Sequence, residues 1–274
     1  MNLISYLIRK GIWALFSLIF FICLGGGAFL LYLNSQLPAI GNLKTIKLQV
    51  PLQIYTQDGR LIQEYGEKRR IPVRFSEIPR PLIQAVLATE DRRFFEHSGV
   101  DFVGLSRAAI TMIQTRTKSQ GGSTITMQVA RNFFLSKKKT FLRKFQEILL
   151  AIKIDQEMSK EKILELYLNK IYLGNRAYGV GAAAQIYYGK TLKELSLGEM
   201  AMIAGLPQAP STQNPITNPA AAKKRRDHVL ERMFNASFIT NAQYQKALHE
   251  PIKAFYHGAN IEVNAPFVAE MIRQ

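Results

Sequence analysis

The chain has 274 residues, enough for one sizeable domain or two small ones with a core that needs no staples. Lys plus Arg outnumber Asp plus Glu by 36 to 20, and the formal charge of +16 points to an anionic partner: nucleic acid, a lipid surface or a phosphate-bearing substrate. A single cysteine, Cys23, excludes an intrachain disulfide and any multi-cysteine metal site.

Between Lys10 and Lys44 no residue is charged, and Ile12 to Leu33 is almost wholly apolar. As a helix this run spans about 33 Å, at about 1.5 Å per residue, which matches the hydrocarbon core of a bilayer. Arg9 and Lys10 precede it, so the positive-inside rule puts residues 1–10 in the cytoplasm and everything after Asn34 outside it. The run is long for a cleaved signal peptide and no small-x-small cleavage site follows cleanly, so 11–34 reads as an uncleaved transmembrane anchor.

Residues 35–75 then form short β-like pieces, "IKLQV", "LQIYT" and "LIQEYG", with a hairpin signal at Asp58-Gly59: a small strand-rich neck. From 76 to 250 the pattern is mostly helical. Pro81 opens a helix through "LIQAVLATE". Phe141 to Glu157 places Phe145, Ile148, Leu149 and Ile152 on one face. Ser159 caps "KEKILELYLNKIYLG", which Gly174 ends. Thr191 with Glu194, and Ser196 with Glu199, form capping boxes. Pro207, Pro210, Pro215 and Pro219 make an extended loop before "AAAKKRRDHVLERMF" resumes a helix. No internal repeat or low-complexity region appears.

Two familiar patterns are discarded. "AQIYYGKT" fits the loose phosphate-loop form, but its bulky residues keep backbone N–H groups from an anion and no strand precedes it. "SKKK" and "SKEK" match S-x-x-K by chance in a lysine-rich chain, without the S-x-N or K-T-G that should follow.

The charge distribution carries more. From Phe102 to Gln146 there is no acid, while Arg107, Arg116, Lys118, Arg131, Lys137, Lys138, Lys139, Arg143 and Lys144 supply cations. A solvated basic face is the ordinary reading of such a run. Here it is bounded by Glu90–Asp101 and Glu147 and contains "GGSTIT", whose small residues let backbone N–H groups approach an anion. A basic groove with an acid at each edge suits chemistry on a phosphorylated substrate. In "ATEDRRFFEHSGVD", Glu90 ends an apolar helical run, where a partly apolar setting favours acid–base work and Arg92 and Arg93 oppose the shift. Taken alone, each acid fits an N-cap or a surface ion pair better than a catalytic role. His97 lacks a second histidine at metal-ligand spacing. Paired-carboxylate glycosyl chemistry is the sharper lead.

Five segments in order carry a resemblance: "EDRRFFEHSGVD", "GGSTITMQVARN", "RKFQEILLAIKIDQ", "ELYLNKIYLGNRAYGVGAAA" and "AGLPQAPSTQNP". Together they resemble the motifs of the family 51 peptidoglycan glycosyltransferases, the membrane-proximal half of class A penicillin-binding proteins, across nearly the whole chain. The resemblance implies a mainly α fold: a lysozyme-like glycosyltransferase domain with a smaller membrane-embedded lobe, the strand-rich neck and one N-terminal transmembrane helix. It places the protein in the inner membrane with its catalytic domain periplasmic.

The implied substrate is lipid II, a disaccharide-pentapeptide on undecaprenyl diphosphate, added to a growing glycan chain among membrane lipids. Activator proteins of cell-wall synthesis are the further partners implied; nucleic acid is excluded by the extracytoplasmic placement. By the resemblance, Glu90 is general base toward the acceptor 4-hydroxyl, and Glu147 is the second catalytic glutamate, with a positional or electrostatic role. Asp91, Phe94 and His97 support the first motif. Ser123, Thr124, Gln128, Arg131 and Asn132 surround the diphosphates and sugar, with Arg143 and Lys144 as the basic pair of the third motif and Lys139 near the leaving group. A divalent cation, Mg or Mn, is implied as an aid to the leaving diphosphate, though no metal motif is present. One departure is Met127, where the family commonly has the first of two glutamines; Gln128 is kept, and tuning of activity is expected.

Two rivals stand beside this reading. A muramidase or lytic transglycosylase would cleave glycan with one glutamate, without need of the diphosphate-binding cations. A membrane-anchored scaffold would hold lipid II without turnover. The tail 251–274 resembles the start of a linker to a transpeptidase domain, so the chain is expected to be a partial one that polymerises glycan without cross-linking it.

Overall fold

The computed structural model describes residues 3–38, 40–46, 48–115, 122–136, 140–258 and 261–273. It is mostly helical with one two-stranded sheet. The first helix, α1 (Leu3–Ser35), contains Arg9–Ser35, long and apolar enough to cross a membrane, with a window of mean hydropathy 2.4 that is not buried in the protein. Its far end meets the folded body. Leu33 is buried, and the Phe29 ring stands edge-on to Phe145 with centroids 5.9 Å apart.

The neck is less strand-rich than its sequence. Ile40–Thr45 is a 3-10 helix that puts Ile40 and Leu43 into the main core, and the described residues of "IKLQV" form no strand. Pro51, next in line, has no N–H to give a ladder. The hairpin itself forms as its turn predicts: β1 (Leu52–Tyr55) pairs antiparallel with β2 (Leu61–Tyr65), and Gly59 takes φ +84° at the tip. A small separate core of Ile54, Ile62 and Ala269 fastens the hairpin to the last helix, α11 (Pro266–Arg273).

The helical body follows its capping chemistry. In α2 (Arg80–Glu90) Pro81 sits in the first turn. Asp101 accepts from Gly104 N (2.9 Å) to open α3 (Phe102–Thr115), and Thr124 caps α4 (Ile125–Phe134). Thr140 caps α5 (Phe141–Glu157), whose bounds are those its periodicity predicts. Ser159 caps α6 (Lys160–Lys170), which stops four residues before the predicted Gly174. Ile171 is extended there, and the chain turns out to pair Tyr178 N with Arg69 O, tying the neck to the body. After α7 (Val180–Tyr188) the Thr191–Glu194 box opens only a 3-10 turn, whereas Ser196–Glu199 opens α8 (Leu197–Gly205).

The proline-broken stretch ends sooner than read, because Pro219 is itself the first residue of α9 (Pro219–Asn235), capped by Asn218. A short α10 (Asn241–His249) follows. One core joins these elements: α2 and α9 pack on α8, and α5 and α6 pack on α4. The site lies where the C-terminal end of α2, the N-terminal half of α4 and one face of α9 meet.

Candidate active site

A cleft of about 730 Å³ opens between α2, α3, α4 and α9. Glu90, the last residue of α2, is half-buried in its wall. Its Oε2 accepts from Gln128 Nε2 at 2.9 Å, and Arg131 Nη2 reaches Gln128 Oε1 at 3.5 Å, so one amide links the carboxylate to a guanidinium. Gln128 and Arg131, three apart on α4, share one face of the helix.

Asp91 fixes this arrangement from behind. Its buried carboxylate accepts from Ile125 N, the first amide of α4, at 3.0 Å and from His97 Nε2 at 3.0 Å to both oxygens. A carboxylate only accepts, so His97 carries its proton on Nε2 and presents it to Asp91. The loop is pinned again at Gly99, whose carbonyl accepts from Thr124 Oγ1 at 2.6 Å, while Thr124 caps Met127 N at 3.1 Å. Gly99 takes φ +81°, and a Cβ there would lie 2.4 Å from Ala151 O, so the loop rests directly on α5. Phe94 is fully buried beneath, edge-on to the His97 ring, with Lys160 Nζ 4.9 Å from its ring centroid.

The third predicted group is buried alongside. Glu147 is fully buried on α5; Arg143 Nη1 donates to its Oε2 at 2.6 Å and Lys144 Nζ to its Oε1 at 2.9 Å. Lys144 also donates to Ser123 Oγ at 2.8 Å, which carries the pair to the cleft edge. Glu147 is not among the cleft-lining residues, so of the two glutamates grouped as catalytic only Glu90 faces the space where substrate can lie. The rest of the predicted set divides in the same way. Asp91, Ser123, Thr124, Gln128 and Arg131 line the cleft, and Phe94 and His97 support it. Asn132 is half-buried on α4 outside the lining. Lys139 lies outside the described residues, as do Arg116, Lys118, Gly121, Lys137 and Lys138 of the basic run.

Several lining residues are absent from the predicted set. Arg225 and Arg232 reach the cleft from α9, held by bonds to Gly205 O (3.0 Å) and Ala88 O (2.5 Å). Burial draws the Arg225 guanidinium below its ordinary value, and the charge of Glu90 opposes that shift. Their signal was the basic "KKRR" and the arginine one heptad on, but only the packing of α9 on α2 turns them inward. Arg93 is bound by Glu96 (2.8 Å) and Asp101 (3.1 Å), and its guanidinium is held above the usual value mainly by the bond to Glu96. From α3, Leu105, Arg107 and Thr111 line the cleft while Phe102, Val103 and Ile110 are exposed, so this helix is not a plain buried one.

Among the described residues no group of three or more His, Cys, Asp or Glu side chains converges to hold a metal ion. The cleft carboxylates already have protein donors: Asp91 from His97 and Ile125, Glu96 and Asp101 from Arg93, Glu90 from Gln128. They do not fit a protein-held divalent cation. The arrangement offers Glu90, held by a neutral amide where Glu96 and Asp101 are held by Arg93, facing a cleft whose walls also carry arginines, which suits proton removal beside a leaving anion.

The transglycosylase family pattern matches residues 58–234, and the chain belongs to that family. It is 56% identical to penicillin-binding protein 1A of Vibrio cholerae over 245 residues, covering 89% of this chain and 30% of that protein. The same protein of Pseudomonas aeruginosa is 52% identical over 95% of this chain, and that of Escherichia coli 55% over 89%. The 2.6 Å crystal structure of penicillin-binding protein 1A from Haemophilus influenzae matches 84% of this chain and 24% of its own, at 38% identity and a TM-score of 0.48. The chain thus spans about 30% of the length of the relatives it matches.

Proposed function

We propose that this chain is a peptidoglycan glycosyltransferase that polymerises lipid II into β-1,4-linked glycan and releases undecaprenyl diphosphate. The observation that supports it most is Glu90, a carboxylate facing a cleft otherwise rich in arginine. In this reading the Glu90 carboxylate takes the proton of the acceptor sugar's 4-hydroxyl. The oxygen attacks C1 of the growing chain, the C1–O bond to diphosphate breaks, and its electron pair leaves with the diphosphate, inverting the anomeric centre. Arg131, Arg225 and Arg232 stabilise the charge that builds on the leaving oxygens. Ser123 and Gln128 orient the sugar and phosphate, Thr124 holds the loop beside them through its bond to Gly99 O, and the Arg143–Glu147–Lys144 triad fixes the wall that carries Ser123. Among the described residues the cleft carboxylates do not fit a divalent cation, so no step is assigned to Mg or Mn.

In the same reading α1 anchors the chain in the inner membrane with its N-terminus cytoplasmic, and residues 76–250 form the catalytic domain in the periplasm. The exposed Phe102, Val103, Ile110, Phe141 and Leu142 face membrane lipid beside α1. Activators of wall synthesis are its protein partners.

The test is incubation of the detergent-solubilised chain with lipid II, and separately with preformed glycan. Polymer from lipid II with released undecaprenyl diphosphate, and no shortening of preformed glycan, is the expected result. Cleavage of the glycan would favour a muramidase, and binding of lipid II without product a scaffold.

A further inference from the structure

Lys68 and Arg70 flank Arg69, which bridges to Ala177 where the neck crosses the body. Lys68 Nζ and Arg70 Cζ stand over one ring, that of Tyr178, at 5.8 and 5.6 Å from its centroid, and the Tyr172 ring packs beside it at 5.0 Å. Arg70 is buried. Its Nε donates to Asn169 O at 3.1 Å and its Nη1 to Gln49 O, which fixes the guanidinium against the residue before Lys170. Lys170 Nζ lies 4.6 Å from the Phe133 centroid. Three cations from the neck and the end of α6 thus share an aromatic wall.

No carboxylate answers them. Among the described residues none of the three has an ion pair, and neither ammonium has a hydrogen bond. Of the acids close in sequence, Glu64 is taken by Arg69 at 2.9 Å and Glu165 by Lys162 at 2.5 Å, while Glu67 is exposed and makes no ion pair among the described residues. Like charges gathered without an acid repel one another, and a buried guanidinium adds the cost of lost water. Burial first, then the charges of Arg70 and Lys68, hold the Lys170 ammonium below its ordinary value, and burial lowers Arg70 as well. A multiply charged oxyanion relieves all three at once, and guanidinium and ammonium donors both suit phosphate oxygens.

We propose that Lys68, Arg70 and Lys170 form a phosphate-binding site at the junction of neck and body, for a phosphate group that is either free or carried on a lipid headgroup. None of the three lines the cleft, so the site is separate from it and does not depend on the reading of Glu90. An anion bound there ties Lys68 and Arg70 of the neck to Lys170 of α6 and fastens the neck to the body. Phe133 sits in the last turn of α4, and the chain next becomes helical at Phe141 of α5, whose Phe145 meets Phe29 of α1. That continuity toward α1 makes lipid phosphate one source; soluble phosphate is the other.

The experiment is thermal melting of the full chain in detergent, with inorganic phosphate against chloride at equal ionic strength, for the parent, Lys68→Ala and Lys170→Met. Phosphate at about ten times a millimolar Kd is expected to raise the parent's melting temperature by about 3 °C, and each variant's by less than half as much. Lys68 is exposed and Lys170 half-buried, so both variants keep the fold, and Arg70, tied to two carbonyls, is left in place. Only the shift on adding phosphate is compared, because Lys170→Met by itself changes the starting stability. A second arm places the same proteins in phosphatidylglycerol or phosphatidylcholine vesicles in chloride buffer. A phosphate rise with no difference between the vesicles assigns free phosphate. A rise in phosphatidylglycerol that the variants lose, with or without the phosphate rise, assigns the headgroup. Shifts equal in parent and variants would reflect exclusion of salt from the whole surface and would overturn the proposal, as would no shift in either arm.

Discussion

Arg143 Nη1 donates to Glu147 Oε2 at 2.6 Å across one turn of α5, and the carboxylate it meets is fully buried. Lys144 closes the other oxygen at 2.9 Å, so two cations neutralise one acid away from the cleft lining. Removing one member of such a group strands the others; Glu147→Ala is expected to cost about 3 kcal/mol or more. Activity falls with it, but the acidic limb of the pH–rate profile stays where it is, because the proton is not taken up by Glu147. Chemical denaturation together with the pH profile checks this. Disappearance of that limb in Glu147→Gln would make Glu147 the proton acceptor.

Asp91 is shared by two buried donors, Ile125 N and His97 Nε2, each at 3.0 Å. In Asp91→Asn the side chain has one acceptor oxygen in place of two, and an NH2 faces one of those donors. The expected cost is about 1–3 kcal/mol, with faster hydrogen exchange at the Ile125 amide as α4 loses its anchor. Unchanged exchange there would remove Asp91 as the tie between α2 and α4.

Much of this frame is legible in the sequence. Ser159, Ser196 and the Asp58-Gly59 turn announce elements that begin where they are read, since caps and turns are chemistry within a few residues. Even the burial of Glu147 had a local signal: Arg143 and Lys144 stand four and three residues before it, on its own helix face. The end of α6 at Lys170 did not, because the chain leaves the helix to pair with Arg69, about a hundred positions away. Arg225 and Arg232 were hidden for the same reason. Their entry into the cleft depends on how α9 lies across α2 and α8.

Gly99 and Gly59 share a positive φ, yet only one is crowded. A Cβ at Gly99 would press to 2.4 Å from Ala151 O, whereas at Gly59 nothing lies within 4 Å. Gly99→Ala is expected to destabilise by about 3 kcal/mol or more and Gly59→Ala by about 1 kcal/mol. Parallel denaturation curves decide it, and equal losses would contradict the seating of the loop on α5.

Lys170 lies against the Phe133 ring at 4.6 Å, and burial, with Arg70 and Lys68 near it, holds its ammonium below the ordinary 10.5. Between the lowered folded value and 10.5 the unfolded chain holds a proton that the folded protein has released, so stability rises with pH across that window. Below it both states are charged and the folded one bears the penalty. Lys170→Met is therefore expected to be more stable at neutral pH, with the ring contact offsetting part of the gain, and the difference shrinks toward pH 10.5. A gap that widens with pH would be the wrong sign.

The most direct measurement is kcat for lipid II polymerisation by Glu90→Gln, with lipid II binding measured on the same preparation. Glutamine keeps the size and the contact with Gln128 but cannot take a proton. The account predicts a loss of about 10²–10⁴ in kcat with binding within about twofold of the parent. Polymerisation within about threefold of the parent, at equal binding, would show that Glu90 is not the base.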